Sequence, residues 1–143
     1  SPTALMGTRV TGKNLGIIGM GRIGQAIAKR AIAFDLKINY HNRRRLHTEL
    51  EKKLQANYWV NVEEMISNVD ILVVSASLNP SSLYLLDQKM LSRLKPSAYI
   101  INISRGEIID QNALVRLLKS KKISGAGLDV YDDNHIISED FKR

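Results

Sequence analysis

Three glycines, Gly19, Gly21 and Gly24, stand in a G-x-G-x-x-G spacing at the end of the apolar run Leu15–Gly19. Eighteen residues beyond Gly24 comes Asn42, followed by Arg43, Arg44 and Arg45. At such a spacing the first glycine permits a tight turn. The second lets backbone approach a pyrophosphate, and the third lets a helix pack close to a strand. A helix opening at Gly21 points unpaired N–H groups and a partial positive charge at an anion. The donors expected here are the main-chain groups of Arg22 and Ile23. The plainer alternative is a glycine turn that binds nothing.

Asn42 stands where dinucleotide-binding segments commonly place a carboxylate that receives the ribose hydroxyls of NAD. A carboxylate would repel a ribose 2′-phosphate. At about 4 Å and an effective dielectric of roughly 20, each like-charge pair costs about 4 kcal/mol before screening. Asn42 removes that repulsion and keeps its hydrogen-bonding capacity. Arg43 and Arg44 can make bidentate, charge-assisted bonds to a phosphate. The segment therefore predicts NADP(H) in preference to NAD(H), with NAD(H) still admissible. The alternative is that Arg43–Arg45 begin a solvated helix.

The elements that must hold these residues follow from the apolar pattern. Nearly unbroken apolar runs at Leu15–Gly19, Leu36–His41, Ile71–Ala76, Tyr99–Ser104 and Gly125–Val130 predict strands buried on both faces. A weaker strand is expected near Asn57–Val60. Helical patterns fall between them, at Gly21–Phe34, Leu46–Leu54, Val62–Ser67, Asp87–Leu94 and Gln111–Lys119. In the first, Ile23, Ile27, Ala28 and Ala31 are expected to share the inward face. Asp110 is placed to cap the last, and Pro96 marks the turn before Tyr99. The alternation predicts an α/β fold, a doubly wound parallel sheet of the Rossmann type. Residues 1–143 are expected to form a single dinucleotide-binding domain.

Composition narrows the function classes. The 143 residues are 44% hydrophobic, enough for a real core. There is no cysteine, hence no disulfide framework or thiolate metal site, in keeping with a cytoplasmic location. No run of about 18 apolar residues predicts a membrane span. The net charge of +7 is spread along the chain, densest at Arg43–Arg45. Without an interleaved aromatic platform, nucleic acid is not expected as a partner. No group of residues has metal-ligand spacing.

Three ordered stretches, GKNLGIIGMGRIGQAIAKRA, INISRGEIIDQNALV and SGAGLDVYDDN, resemble the D-isomer-specific 2-hydroxyacid dehydrogenases. Within them YHNRRRL is most similar to the glyoxylate/hydroxypyruvate reductases. The resemblance implies roles for particular residues. Arg105 would hold the carboxylate and carbonyl of a small 2-oxoacid, and Asp129 would hydrogen-bond the nicotinamide carboxamide. Ser77 and Asn79 would border the adenosine, and the backbone at Ile103 and Ser104 would lie near the nicotinamide. It also implies a homodimer and a separate substrate-binding domain, which is not expected within this sequence.

The family's proton donor is a histidine tuned by a glutamate. Here Asn134 occupies the glutamate position and His135 the next, and His41 and His47 lie elsewhere. The donor histidine is expected beyond Arg143, so that this chain is a catalytically incomplete part of a longer enzyme. The alternative kept open is a non-catalytic, dinucleotide-sensing or interaction module of the same fold.

Overall fold

Buried branched side chains set the sheet before anything else does. The structure, a computed structural model, describes residues 11–76 and 85–103, together with the backbone of 125–128. In chain order the elements are β1 (Asn14–Ile18), α1 (Arg22–Ile32), β2 (Lys37–His41), α2 (Thr48–Lys53), β3 (Ala56–Tyr58), α3 (Val62–Asn68), β4 (Ile71–Val74), α4 (Gln88–Leu91), β5 (Tyr99–Asn102) and β6 (Gly125–Leu128). The four residues of β4 are all buried. Leu72 and Val74 enter one core with Ile18, Ile66, Leu91 and Ile100. Ile71 and Val73 enter the other with Leu15, Ile17, Ala28 and Tyr40. Alternate side chains point to opposite faces, so an unbroken apolar run means burial on both sides.

All the strand pairings are parallel, in the order β3-β2-β1-β4-β5-β6. The chain winds outward from β1 to β3, returns to the middle, and winds outward again from β4. This is the doubly wound, Rossmann-type sheet expected from the sequence, and its strand order reverses between β1 and β4. Asp70 ties the opposite rim, at the strand beginnings. Its carboxylate accepts from the Asn14 N–H at 2.8 Å and from Lys95 Nζ at 3.0 Å.

Some boundaries differ from the expected ones. Helix α1 ends at Ile32, not Phe34, and the chain turns through Asp35 in the left-handed region (φ 59°) to enter β2. Its buried residues are Gly24, Ala28 and Ala31. Ile23, expected on that face, is 57% exposed. The helix lies so close to β1 that a glycine takes the inward seat, and Ile23 falls outside it. Helix α2 starts at Thr48 and not at Leu46, whose N–H is held by the Tyr40 hydroxyl. The weak strand is real but shifted, as β3. The expected helix Gln111–Lys119 and its cap Asp110 lie outside the described residues.

Candidate functional site

At the end of β1 the chain passes so close to β4 that no side chain fits. Gly19 has φ +90°, and a Cβ there would stand 2.4 Å from the Ala76 Cα and 2.5 Å from its nitrogen. The Gly19 peptide is gripped from both neighbouring strands. Its N–H donates to the His41 carbonyl at 3.0 Å, and its carbonyl accepts from Ser75 Oγ at 2.6 Å. Gly24 is equally confined, since its Cβ would meet the Gly19 carbonyl oxygen at 2.5 Å and Ile17 Cγ2 at 3.3 Å. Gly21 is different. It is exposed, its φ is −87°, and a Cβ would find nothing within 4 Å. Among the described residues nothing demands glycine at that position. The bare backbone there suits the approach of a ligand.

Helix α1 begins at this loop without a side-chain cap and with no acidic residue in its first turn. The first bond of the helix runs from the Gln25 N–H to the Gly21 carbonyl at 2.9 Å. The N–H groups before it have no partner within the helix. Helix α2 also lacks a side-chain cap but carries Glu49 and Glu51 in its first turn, while in α3 and α4 Asn61 caps the Glu64 N–H and Asp87 caps the Met90 N–H. The uncapped terminus therefore opens where the strand order reverses, the place where doubly wound sheets take their ligands. Its donors fit the pyrophosphate of a dinucleotide.

Beside the glycine loop lies the turn that follows β2. Asn42 Oδ1 accepts from the Met20 N–H at 3.1 Å, and Nδ2 donates to the Arg44 carbonyl at 3.0 Å. Tyr58 donates its hydroxyl to the Asn42 carbonyl at 3.3 Å. Asn42 was expected to border the cofactor and to keep its hydrogen-bonding capacity. The structure makes it a strut between the glycine loop and the arginine turn, with one amide hydrogen to spare. The three arginines are not equivalent either. Arg45 forms a two-point pair with Glu51, Nη2 to Oε1 at 2.8 Å and Nε to Oε2 at 3.0 Å. Its guanidinium also lies 5.3 Å from the centre of the Tyr58 ring. Arg43 and Arg44 are exposed and form no ion pair among the described residues.

Tyr40 completes this arrangement. Its hydroxyl donates to Glu51 Oε2 at 2.6 Å and accepts from the Leu46 N–H at 3.0 Å. Burial, reinforced by the bond to Glu51, pushes the Tyr40 hydroxyl up to about 12. The Glu51 carboxyl is held below its usual range by Arg45 first and Tyr40 second.

With this geometry in hand, the comparisons with known proteins are decisive about kinship. The family model for the D-isomer specific 2-hydroxyacid dehydrogenase, NAD binding domain, matches residues 1–141. The chain belongs to that family. A Staphylococcus aureus (strain MRSA252) protein assigned in name to the 2-hydroxyacid dehydrogenases is 40% identical over 142 residues, which are 99% of this chain and 44% of that protein. A crystal structure of a glyoxylate reductase from Paecilomyes thermophila is 42% identical, with a TM-score of 0.82 over 89% of this chain and 38% of that one. The acyclic imino acid reductase Bsp5 is 34% identical, with a TM-score of 0.79 over 92% of this chain and 42% of that one. The chain thus spans less than half the length of these relatives.

As the nucleotide-binding domain of a 2-hydroxyacid dehydrogenase, the described residues bring together part of the expected site. Gly19, Gly21, Arg22, Ile23 and Gly24 form the loop and helix start, with Asn42, Arg43 and Arg44 on the adjoining turn. Ile103 sits where β5 ends, its N–H bonded to the Val74 carbonyl at 2.9 Å. Ser77, Asn79, Ser104, Arg105 and Asp129 lie outside the described residues, as do Asn134 and His135. Three residues were missed in the sequence: Ser75, Tyr40 and Glu51. Ser75 is the first polar residue after the apolar β4 run, which was the one available signal. Among the described residues no group of acidic residues and histidines is placed to hold a metal, and no helix is long and apolar enough to cross a membrane.

Proposed function

We propose that this chain is the NADP(H)-preferring cofactor domain of a D-2-hydroxyacid dehydrogenase that reduces a small 2-oxoacid of the glyoxylate or hydroxypyruvate type. One observation carries the cofactor preference: the uncharged Asn42 stands beside the uncapped start of α1, followed by Arg43 and Arg44, which form no ion pair among the described residues. A carboxylate is missing where one would exclude a 2′-phosphate, and two exposed guanidinium groups are present where they would attract it. Two relatives lend support. One is the glyoxylate reductase, and the other, Bsp5, is described in complex with NADPH and D-Arg.

In this reading the N–H groups at the start of α1 bind the pyrophosphate, and Arg43 and Arg44 bind the 2′-phosphate. Asp129 orients the nicotinamide carboxamide, with the backbone at Ile103 and Ser104 beside the ring and Ser77 and Asn79 beside the adenosine. Bound NADPH supplies a hydride. Arg105 holds the 2-oxoacid by its carboxylate and carbonyl, a task that suits a planar fork of donors. None of the histidines matches the family's proton donor, so that acid is assigned to sequence outside these 143 residues. A homodimer, which rests on the family resemblance, and a cytoplasmic location, in keeping with a sequence that has no cysteine, belong to the same proposal.

The test is a pair of fluorescence titrations, NADPH and NADH, at one fixed ionic strength. Two exposed charge-assisted contacts should favour NADPH by roughly 10- to 100-fold. The double variant Arg43→Ala, Arg44→Ala should remove most of that preference and leave NADH binding nearly as it was. Equal affinity of the unmodified chain for both cofactors refutes the assignment.

A further inference from the structure

The turn from Asn42 to Leu46 is fastened at both ends by side chains. At its start Asn42 bonds the Met20 N–H and the Arg44 carbonyl. At its end the Leu46 N–H is held by Tyr40, whose hydroxyl in turn donates to Glu51 in α2. The same Glu51 accepts from Nε and Nη2 along one edge of the Arg45 fork. Three consecutive guanidinium groups would repel one another and would sample many rotamers. Glu51 withdraws the third, and the fastened backbone leaves Arg43 and Arg44 as the displayed pair.

We infer that Tyr40 and Glu51 are positioning residues for cofactor selectivity, holding the Arg43–Arg44 pair in register for a phosphorylated ribose. Tyr40 is fully buried, so its effect on a bound cofactor passes through the turn. Two-point contact between guanidinium and phosphate depends on direction as well as charge. A slackened turn must be ordered again when ligand binds, and each immobilised side chain adds to the cost of association. A cofactor without the 2′-phosphate does not use the pair, and the clamp is silent toward it. This inference rests on the proposed role of Arg43 and Arg44.

Tyr40→Phe is the direct test, because it keeps the ring and every charge while removing the one hydroxyl. In fluorescence titrations of the full chain, the NADPH dissociation constant should rise about tenfold while that for NADH stays within about twofold. Glu51→Gln provides a second variant that leaves the core ring in place. Its freed Arg45 adds a charge, but an exposed and screened one. The same split is expected, with NADPH weakened about threefold or more. Tyr40→Phe and Glu51→Gln chains that keep the unmodified NADPH-to-NADH ratio overturn the clamp, and so do variants that weaken both cofactors equally. If the unmodified chain itself does not discriminate, the assignment of Arg43 and Arg44 fails first and the clamp falls with it.

Discussion

Alanine at Gly19 and alanine at Gly21 should give opposite phenotypes, although a single residue separates them. At Gly19 the new methyl group meets two penalties. A left-handed backbone costs an L-residue about 1–2 kcal/mol. Forcing a methyl into packed structure costs typically a further 1–3 kcal/mol, and here the obstacle is Ala76 backbone at 2.4–2.5 Å, which cannot swing aside. Gly19→Ala should therefore lose roughly 2–5 kcal/mol. At Gly21 the backbone is already in a region open to alanine, and the methyl enters empty space. Trading glycine for alanine at a helix start costs roughly 0.5 kcal/mol. The methyl would, however, stand where a pyrophosphate must approach the α1 donors. Losing even one charge-assisted bond of about 1.5–3 kcal/mol weakens cofactor roughly 10- to 100-fold. Urea unfolding followed by circular dichroism measures the first quantity, provided the slope against denaturant is unchanged. Cofactor fluorescence measures the second. A Gly21→Ala chain that binds NADPH with unaltered affinity would refute the view that this open space belongs to a ligand. A Gly19→Ala chain of near-normal stability would refute the close approach of β1 to β4.

Ser75→Ala removes the donor that holds the Gly19 carbonyl. It should cost about 1–2 kcal/mol in urea unfolding and weaken NADPH and NADH alike, since both use the loop. The pH dependence of stability has two windows. Tyr40 is raised from 10.0 to about 12 in the folded chain, so its contribution is complete below pH 10 and is lost as pH climbs toward 12. The loss is on the order of 2–3 kcal/mol, and it should be absent from the pH–stability curve of Tyr40→Phe. Asp70 is the acid-side counterpart. Burial alone would raise it, but the Asn14 N–H and Lys95 outweigh burial and hold it below the usual carboxylate range. Glu51 is lowered as well. Both contributions are present above the ordinary carboxylate pKa and fade as pH falls through the lowered values, which thermal melts between pH 6 and about 2 will follow.

Much of the fold could be read because it rests on local regularities. The β4 run Ile71–Val74 is apolar without interruption, and burial on both faces is what such a run requires. The glycine spacing could be read for a related reason: Gly19 and Gly24 answer to backbone contacts that only a missing Cβ permits. The buried Asn39 of β2 was invisible. Its carbonyl oxygen accepts from the Trp59 indole at 2.9 Å and its amide donates to the Leu15 carbonyl at 3.3 Å. Those partners come from another strand and a loop, and nothing in the local pattern announces them. Ile23 was misplaced for a packing reason. The apolar stripe was counted by residue type, whereas the helix chose the smallest side chain for its closest approach.

The arginine turn shows where residue type stops being informative. Arg43, Arg44 and Arg45 are chemically identical in the sequence, and charge counting treats them as a block of three. What separates them is Glu51, six residues past Arg45 and on a helix that turns Leu50, and Leu54 just past its end, toward the core. Glu51 is turned inward beside them because Tyr40 offers it a buried hydroxyl at 2.6 Å. That hydroxyl is available only because β2 buries Tyr40 completely. A sheet position thus decides the fate of a surface charge eleven residues away. The paired Arg45 becomes structure, and its two neighbours are left with the charge that a phosphate would need.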